Sequence, residues 1–240
     1  MNLTEFHVLS FDCYGTLIDW ETGIMEALQP LIERSGRILS RDHVLQAYAR
    51  IESDQEQTES FLPYREVLQR VYVRLAQEWH AQPGPGEALA FSESIRNWPA
   101  FVDSAAALQY LKKFYKLVIL SNVDRDSFEA SNQKLQVEFD YIFTSQEIGS
   151  YKPDLRNFQY MIDRLAEHGL PKRSILHLAV GLFHDHLPAN QMGLATGWIH
   201  RRAGREGHGA THPPKRMPTL DFRFTSLARL VKAHQDALKI

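Results

Sequence analysis

Residues 6–17, FHVLSFDCYGTL, constrain the chain more than any other stretch. His7-Val8-Leu9-Ser10-Phe11 is short, β-branched and aromatic, as suits a central strand of a parallel sheet. Asp12 follows at its carboxyl end, Gly15 allows a tight turn, and Thr16 offers a hydroxyl just beyond it. In open α/β sheets the ligand crevice lies outside the carboxyl ends of the strands. An aspartate there is placed to attack as a nucleophile and form an ester. An Asp/Gly turn that merely closes a strand is common too, so the later motifs decide between the two.

Three further stretches answer to Asp12. Lys116–Ser121 is an apolar strand ending in Ser121-Asn122, whose side chains and backbone N–H groups suit a substrate carboxylate. Lys152-Pro153 follows a strand at 141–144, where the ammonium of Lys152 can hold a neighbouring carboxylate ionised. Asp185 follows a strand at 175–179 and is the second acid, available to handle the water that hydrolyses an ester. His184 and His186 flank it as further candidate bases. A metal held by His184-Asp185-His186 is disfavoured, because a helix start points adjacent side chains apart.

With these residues in order, the chain resembles the haloacid dehalogenase superfamily. Asp12-Cys-Tyr-Gly-Thr-Leu17 resembles its first motif, and Ser121-Asn122, Lys152-Pro153 and His184-Asp185 its second, third and fourth. The resemblance implies an α/β fold: a doubly wound, Rossmann-like parallel sheet core with an inserted helical cap domain. It implies Asp12, Lys152, Asp185 and Thr16 as catalytic residues, with Asp185 positioning water. It also implies Cys13, Tyr14, Trp20, Arg50, Ser121 and Asn122 as substrate-binding residues, and a homodimer.

The intervening sequence fits that plan. Between residues 20 and 97 apolar residues recur at helical spacing, as in Ile24, Leu28, Leu31 and Ile32, or Val44, Tyr48 and Ile51. Pro63 opens a further helix carrying Tyr64, Leu68, Val71, Leu75 and Trp79, and Pro83-Gly84-Pro85-Gly86 ends it. We therefore expect a helical cap over residues 19–97 that shields the reaction from water, and a core built from 1–18 and 98–240. Strands are expected at 141–144, 175–179, 196–200 and 222–224, with a long loop over 201–220. Trp20, Phe61, Tyr64, Trp98 and Tyr151 are the aromatic candidates for the pocket lining, Trp20 foremost.

Two departures from the family pattern bear on the reaction. Phosphatases of the superfamily read D-x-D-G-T, the second Asp protonating the leaving alcohol. Tyr14 stands there, a poor acid with a pKa near ~10 and no carboxylate for Mg²⁺. This resembles the branch that displaces halide from the α-carbon of 2-haloacids without metal or other cofactor. Within that branch, however, Val180 and Leu182 stand where Ser and Asn are expected, and Phe158 where Tyr is. The halide-cradling arginine has only Arg50 as counterpart, beside Glu52 and Asp54. The alternative is C–N ring opening of L-azetidine-2-carboxylate, as in a relative of that branch, where ring strain replaces a good leaving group. Its cationic nitrogen would prefer acids or aromatic faces. An Mg²⁺-dependent phosphatase is a further alternative, and a non-catalytic scaffold is argued against by the intact Asp12, Lys152 and Asp185.

A net charge of −2 gives no reason to expect nucleic acid or an anionic membrane as partner, leaving a small carboxylic acid. No apolar run nears the ~20 residues of a membrane span. The single Cys13 excludes an internal disulfide, and no signal-peptide pattern opens the chain, which together favour the cytoplasm.

Overall fold

The computed structural model describes residues 1–60 and 62–239; Phe61, an expected pocket candidate, lies outside them. Six parallel strands form one sheet: β1 (Val8–Phe11), β2 (Lys116–Ser121), β3 (Tyr141–Thr144), β4 (Ile175–Ala179), β5 (Ala195–Ile199) and β6 (Phe222–Phe224). Their order is β3-β2-β1-β4-β5-β6. β1 is fully buried and pairs with β2 on one side and β4 on the other. The order of connection reverses at β1, so the crevice of a doubly wound sheet opens where β1 and β4 end.

The first connection, from β1 to β2, carries α1 (Trp20–Ser35), α2 (Arg41–Thr58), α3 (Tyr64–Trp79) and α4 (Glu87–Glu93). Each long helix turns an apolar stripe inward, as with Val67, Leu68, Val71 and Leu75 of α3. The chain leaves and rejoins the core through two adjacent extended stretches, where Ile18 bridges Ala100 and Asp19 N–H donates to the Pro99 carbonyl at 2.7 Å. α5 (Ser104–Leu111) then leads into β2.

Beyond β2, α6 (Arg125–Leu135) precedes β3, and the short α7 (Ser145–Ile148) and α8 (Leu155–Glu167) precede β4. A π-helical turn over Leu182–His186 and α9 (Leu187–Gln191) connect β4 to β5. α10 (Leu227–Ala237) follows β6. Residues 201–220 contain no helix or strand, yet they are tied to the helical insert. Arg202 is nearly buried and pairs with Glu21 of α1 at 2.8 Å and Asp42 of α2 at 2.7 Å. No helix among the described residues is long and apolar enough to cross a membrane.

Candidate active site

The ends of β1, β2 and β4 and the inner faces of α2 and α3 enclose one cleft, with Asp12 on its floor. Asp12 is 8% exposed. Its Oδ1 accepts from Lys152 Nζ at 3.0 Å, and its Oδ2 from the Thr16 hydroxyl at 2.8 Å. Thr16 in turn accepts the Val180 N–H at 2.9 Å, so its own proton is committed to Asp12. Burial raises the Asp12 carboxyl, and Lys152 and Thr16 pull it back towards the ionised form.

Lys152 is buried and spans the two acids, bonding Asp185 Oδ1 at 2.6 Å and the Leu120 carbonyl at 2.9 Å. Burial works against its charge, but Asp12 and Asp185 outweigh that and hold it above the ordinary lysine range. Asp185 sits in the π-helical turn, a geometry frequent at functional sites. Burial would raise its carboxyl, yet Lys152 and His177 hold it well below the usual range. An acid so held stays ionised and is a hydrogen-bond acceptor.

His177 was not singled out in the sequence, where it sits inside an apolar strand. It is fully buried in β4, its Nε2 3.2 Å from Asp185 Oδ1 and its Nδ1 2.9 Å from the Ser10 hydroxyl. Ser10 and His177 are register partners on β1 and β4, so the polar pair crosses the sheet directly beneath the acids. Glu52 and Glu56 of α2 were also missed as site residues. Both are buried and line the cleft opposite Asp12. Glu52 Oε1 accepts from Tyr48 at 2.6 Å and Tyr64 at 2.5 Å, and Glu56 Oε2 from the Asn122 amide at 3.1 Å.

The other expected residues divide. Ser121 lines the cleft, and its buried hydroxyl has no hydrogen-bond partner among the described residues. Asn122 lines it too, but its amide is spent on Glu56 and on both backbone groups of Lys152. Trp20 and Tyr64 face the cleft, whereas Trp98 and Tyr151 are core packing: Trp98 stacks edge-on against Tyr14, and Tyr151 donates to the Leu62 carbonyl.

Three expectations need correction. Arg50 is on the solvent side of α2, paired with Glu78, because residues two apart on a helix face different ways and Glu52 takes the inner face. Cys13 is buried outside the cleft, its carbonyl accepting the N–H groups of Thr16, Leu17 and Ile18. Tyr14 does line the cleft, with its hydroxyl spent on the Ser127 carbonyl at 3.1 Å and Ser131 at 2.9 Å. His186 is spent on the Ala179 carbonyl at 3.0 Å, leaving only His184 of the flanking histidines in the cleft.

A family model for haloacid dehalogenase-like hydrolases matches residues 6–178. The chain belongs to the haloacid dehalogenase-like hydrolases. Among relatives, the (S)-2-haloacid dehalogenase 4A of Burkholderia cepacia is 25% identical over 160 residues, 65% of this chain and 68% of that protein. The fold is shared with the L-2-haloacid dehalogenase of Xanthobacter autotrophicus, at a TM-score of 0.77 and 16% identity over 96% of this chain and 98% of the other. It is also shared with a haloacid dehalogenase-type hydrolase of Bacillus subtilis bound to magnesium, at 0.74 and 18% over 96% and 99%.

A Mg²⁺ site does not fit this haloacid dehalogenase-like hydrolase. The ion requires near-octahedral oxygen ligands. The ion would need Asp12, the Tyr14 carbonyl and Asp185, but Lys152 already bridges the two acids, and among the described residues no three His, Cys, Asp or Glu side chains are grouped to hold a metal.

Proposed function

We propose that this hydrolase displaces a leaving group from the α-carbon of a small 2-substituted carboxylic acid through an ester on Asp12. The supporting observation is Asp12 itself, aimed by Thr16 and Lys152 at the crevice end of β1 with Asp185 on the same ammonium. Ser121 offers its free hydroxyl to the substrate carboxylate. An oxygen of Asp12 attacks the α-carbon as the leaving group departs with the bonding electrons. Water aligned by Asp185 then attacks the Asp12 carbonyl carbon, and the 2-hydroxy acid leaves with an oxygen that began on Asp12.

Halide release, as named for the dehalogenase relatives, is one form of this reaction. A specific observation favours the second, ring opening of L-azetidine-2-carboxylate. A departing halide calls for fixed positive charge or several N–H donors. Among the described residues the cleft lining contains no arginine, its cation Lys152 is committed to Asp12, Asp185 and the Leu120 carbonyl, and Glu52 and Glu56 face inward. That surround suits a substrate whose leaving atom is a cationic nitrogen.

The test is an end-point screen of L-2-chloropropionate and L-azetidine-2-carboxylate, with halide and primary amine both measured. Formation of a primary amine well above halide release supports the nitrogen reading, and halide alone contradicts it. Dialysis against EDTA leaves the rate unchanged on this account. A large loss that Mg²⁺ restores, with turnover of p-nitrophenyl phosphate, favours the phosphatase instead.

A further inference from the structure

Two carboxyl groups in the cleft have no part in forming or hydrolysing the Asp12 ester. Glu52 and Glu56 are 5% and 4% exposed, and neither meets a charged partner among the described residues. Lys152 spends its donors on Asp12, Asp185 and Leu120. His184 lies 3.9 Å from Glu56 but is uncharged at neutral pH, because burial lowers it to about 4. Burial raises both, Glu56 well above the ordinary carboxyl range with Glu52 adding to the rise, so without a cation they hold their protons, and a positive ligand beside Glu56 is what ionises it.

Their oxygens are held unequally. Both tyrosine hydroxyls donate to Oε1 of Glu52, fixing the carboxyl plane, and Oε2 accepts no hydrogen bond among the described residues. Glu56 is anchored at Oε2 by Asn122, and its Oε1 is likewise open. Tyr48, Glu52 and Glu56 are four residues apart on α2 and so form one stripe facing the nucleophile.

We propose that Glu52 is the acid that protonates the departing nitrogen, and that Glu56 is the carboxylate that pairs with the ammonium so formed. This rests on the reading of the substrate as a strained cyclic amino acid. The substrate binds as a ring ammonium. A bond forms from an Asp12 oxygen to the α-carbon, the bond from that carbon to nitrogen breaks, and its electron pair goes to nitrogen. The nitrogen is then a neutral primary amine. It takes the proton of Glu52, which removes the lone pair that would close the ring again. The resulting ammonium lies between two carboxylates, and Glu52 regains a proton from water after the product leaves.

The surroundings of Glu52 agree with this role. It is raised to about 7, chiefly by burial, with Asp12 adding to the rise and the Tyr48 and Tyr64 hydroxyls opposing it. The charged or titratable groups facing it are Tyr48 and Glu56 from α2, Tyr64 from α3, Asp12 after β1, and Lys152, His184 and Asp185 across the cleft. The acid form is present below about 7 and is lost as pH rises through that value, so ring opening acquires a basic limb there.

The test follows primary-amine formation and halide release from the two substrates by the wild type, Glu52→Gln, Glu52→Asp and Glu56→Gln, between about pH 5 and 9. Glu52→Gln lowers kcat for ring opening by about 10²–10⁴-fold and removes its basic limb, while halide release falls far less, since halide needs no proton. Glu52→Asp recovers part of the rate and the limb. Glu56→Gln raises KM for the amino acid more than it lowers kcat. If Glu52→Gln does not fold, Tyr64→Phe tests the same point: loss of a donor to the carboxylate moves the limb to higher pH. Equal losses in both reactions, or a basic limb unchanged in Glu52→Gln or Tyr64→Phe, overturns Glu52 as the acid while ring opening stands. A wild type that releases halide but no amine overturns the ring-opening reading itself and this assignment with it.

Discussion

Gly15 has φ near +84°, and a Cβ there would lie 2.7 Å from Trp20 Nε1 and 2.9 Å from Val180. Gly15→Ala therefore strains the turn behind Asp12, and it is expected to destabilise the fold by about 1–3 kcal/mol, measured as a lowered denaturant midpoint. His177 acts differently, since it touches neither substrate nor nucleophile and only positions Asp185. His177→Ala is expected to leave ester formation intact and slow its hydrolysis. Removing a hydrogen bond to a charged acid costs about 1.5–3 kcal/mol, so with L-2-chloropropionate a burst of halide should precede a slower steady state. Equal slowing of both phases contradicts that role. Arg50→Ala, in contrast, changes an exposed ion pair remote from the cleft, and stability should shift by no more than about 0.5 kcal/mol with turnover nearly unchanged.

At the scale of elements, the parts most legible in the sequence were those governed by local rules. Val-Leu-Ser-Phe and Leu-Val-Ile-Leu read as buried strands because both faces are covered, and Asp12 and Ser121 followed from where such strands end, whereas Asp185, well beyond the end of β4, was marked by the family resemblance. Glu52 was less legible for a definite reason. Val44, Tyr48 and Ile51 marked the inner stripe of α2, and Glu52 and Glu56 continue it from Tyr48 in steps of four, yet acids on a helix ordinarily face solvent. His177 was hidden by the apolar run around it, and its partner Ser10 is 167 residues away, a pairing only the sheet register reveals. The raised Glu52 also has a consequence for stability. A carboxyl raised in the fold binds its proton more tightly there than in the unfolded chain, so the fold loses stability as pH climbs from the unfolded value of 4.5 towards about 7. Glu52→Gln is expected to remove that loss, giving a higher Tm than the wild type at alkaline pH and a smaller difference in acid. No relative gain at alkaline pH contradicts it.

At the scale of the whole molecule, the cleft takes Asp12, Lys152 and Asp185 from segments that follow strands of the sheet and Glu52, Glu56 and Tyr64 from the helical insert. A substrate bound there would touch both parts, and ordering of such a lid would exclude water during attack. Amide exchange in α2, α3 and the crossings at 17–19 and 99–101 is expected to slow when an unreactive analogue binds, whereas unchanged exchange would argue against closure. The central claim, an ester on Asp12, is tested most directly by single turnover in ¹⁸O-water with enzyme in excess. The account predicts that the first product carries unlabelled oxygen and that the heavy atom appears in the peptide containing Asp12. Heavy oxygen in the 2-hydroxy acid from the first turnover, with Asp12 unlabelled, would mean that water attacks the α-carbon directly.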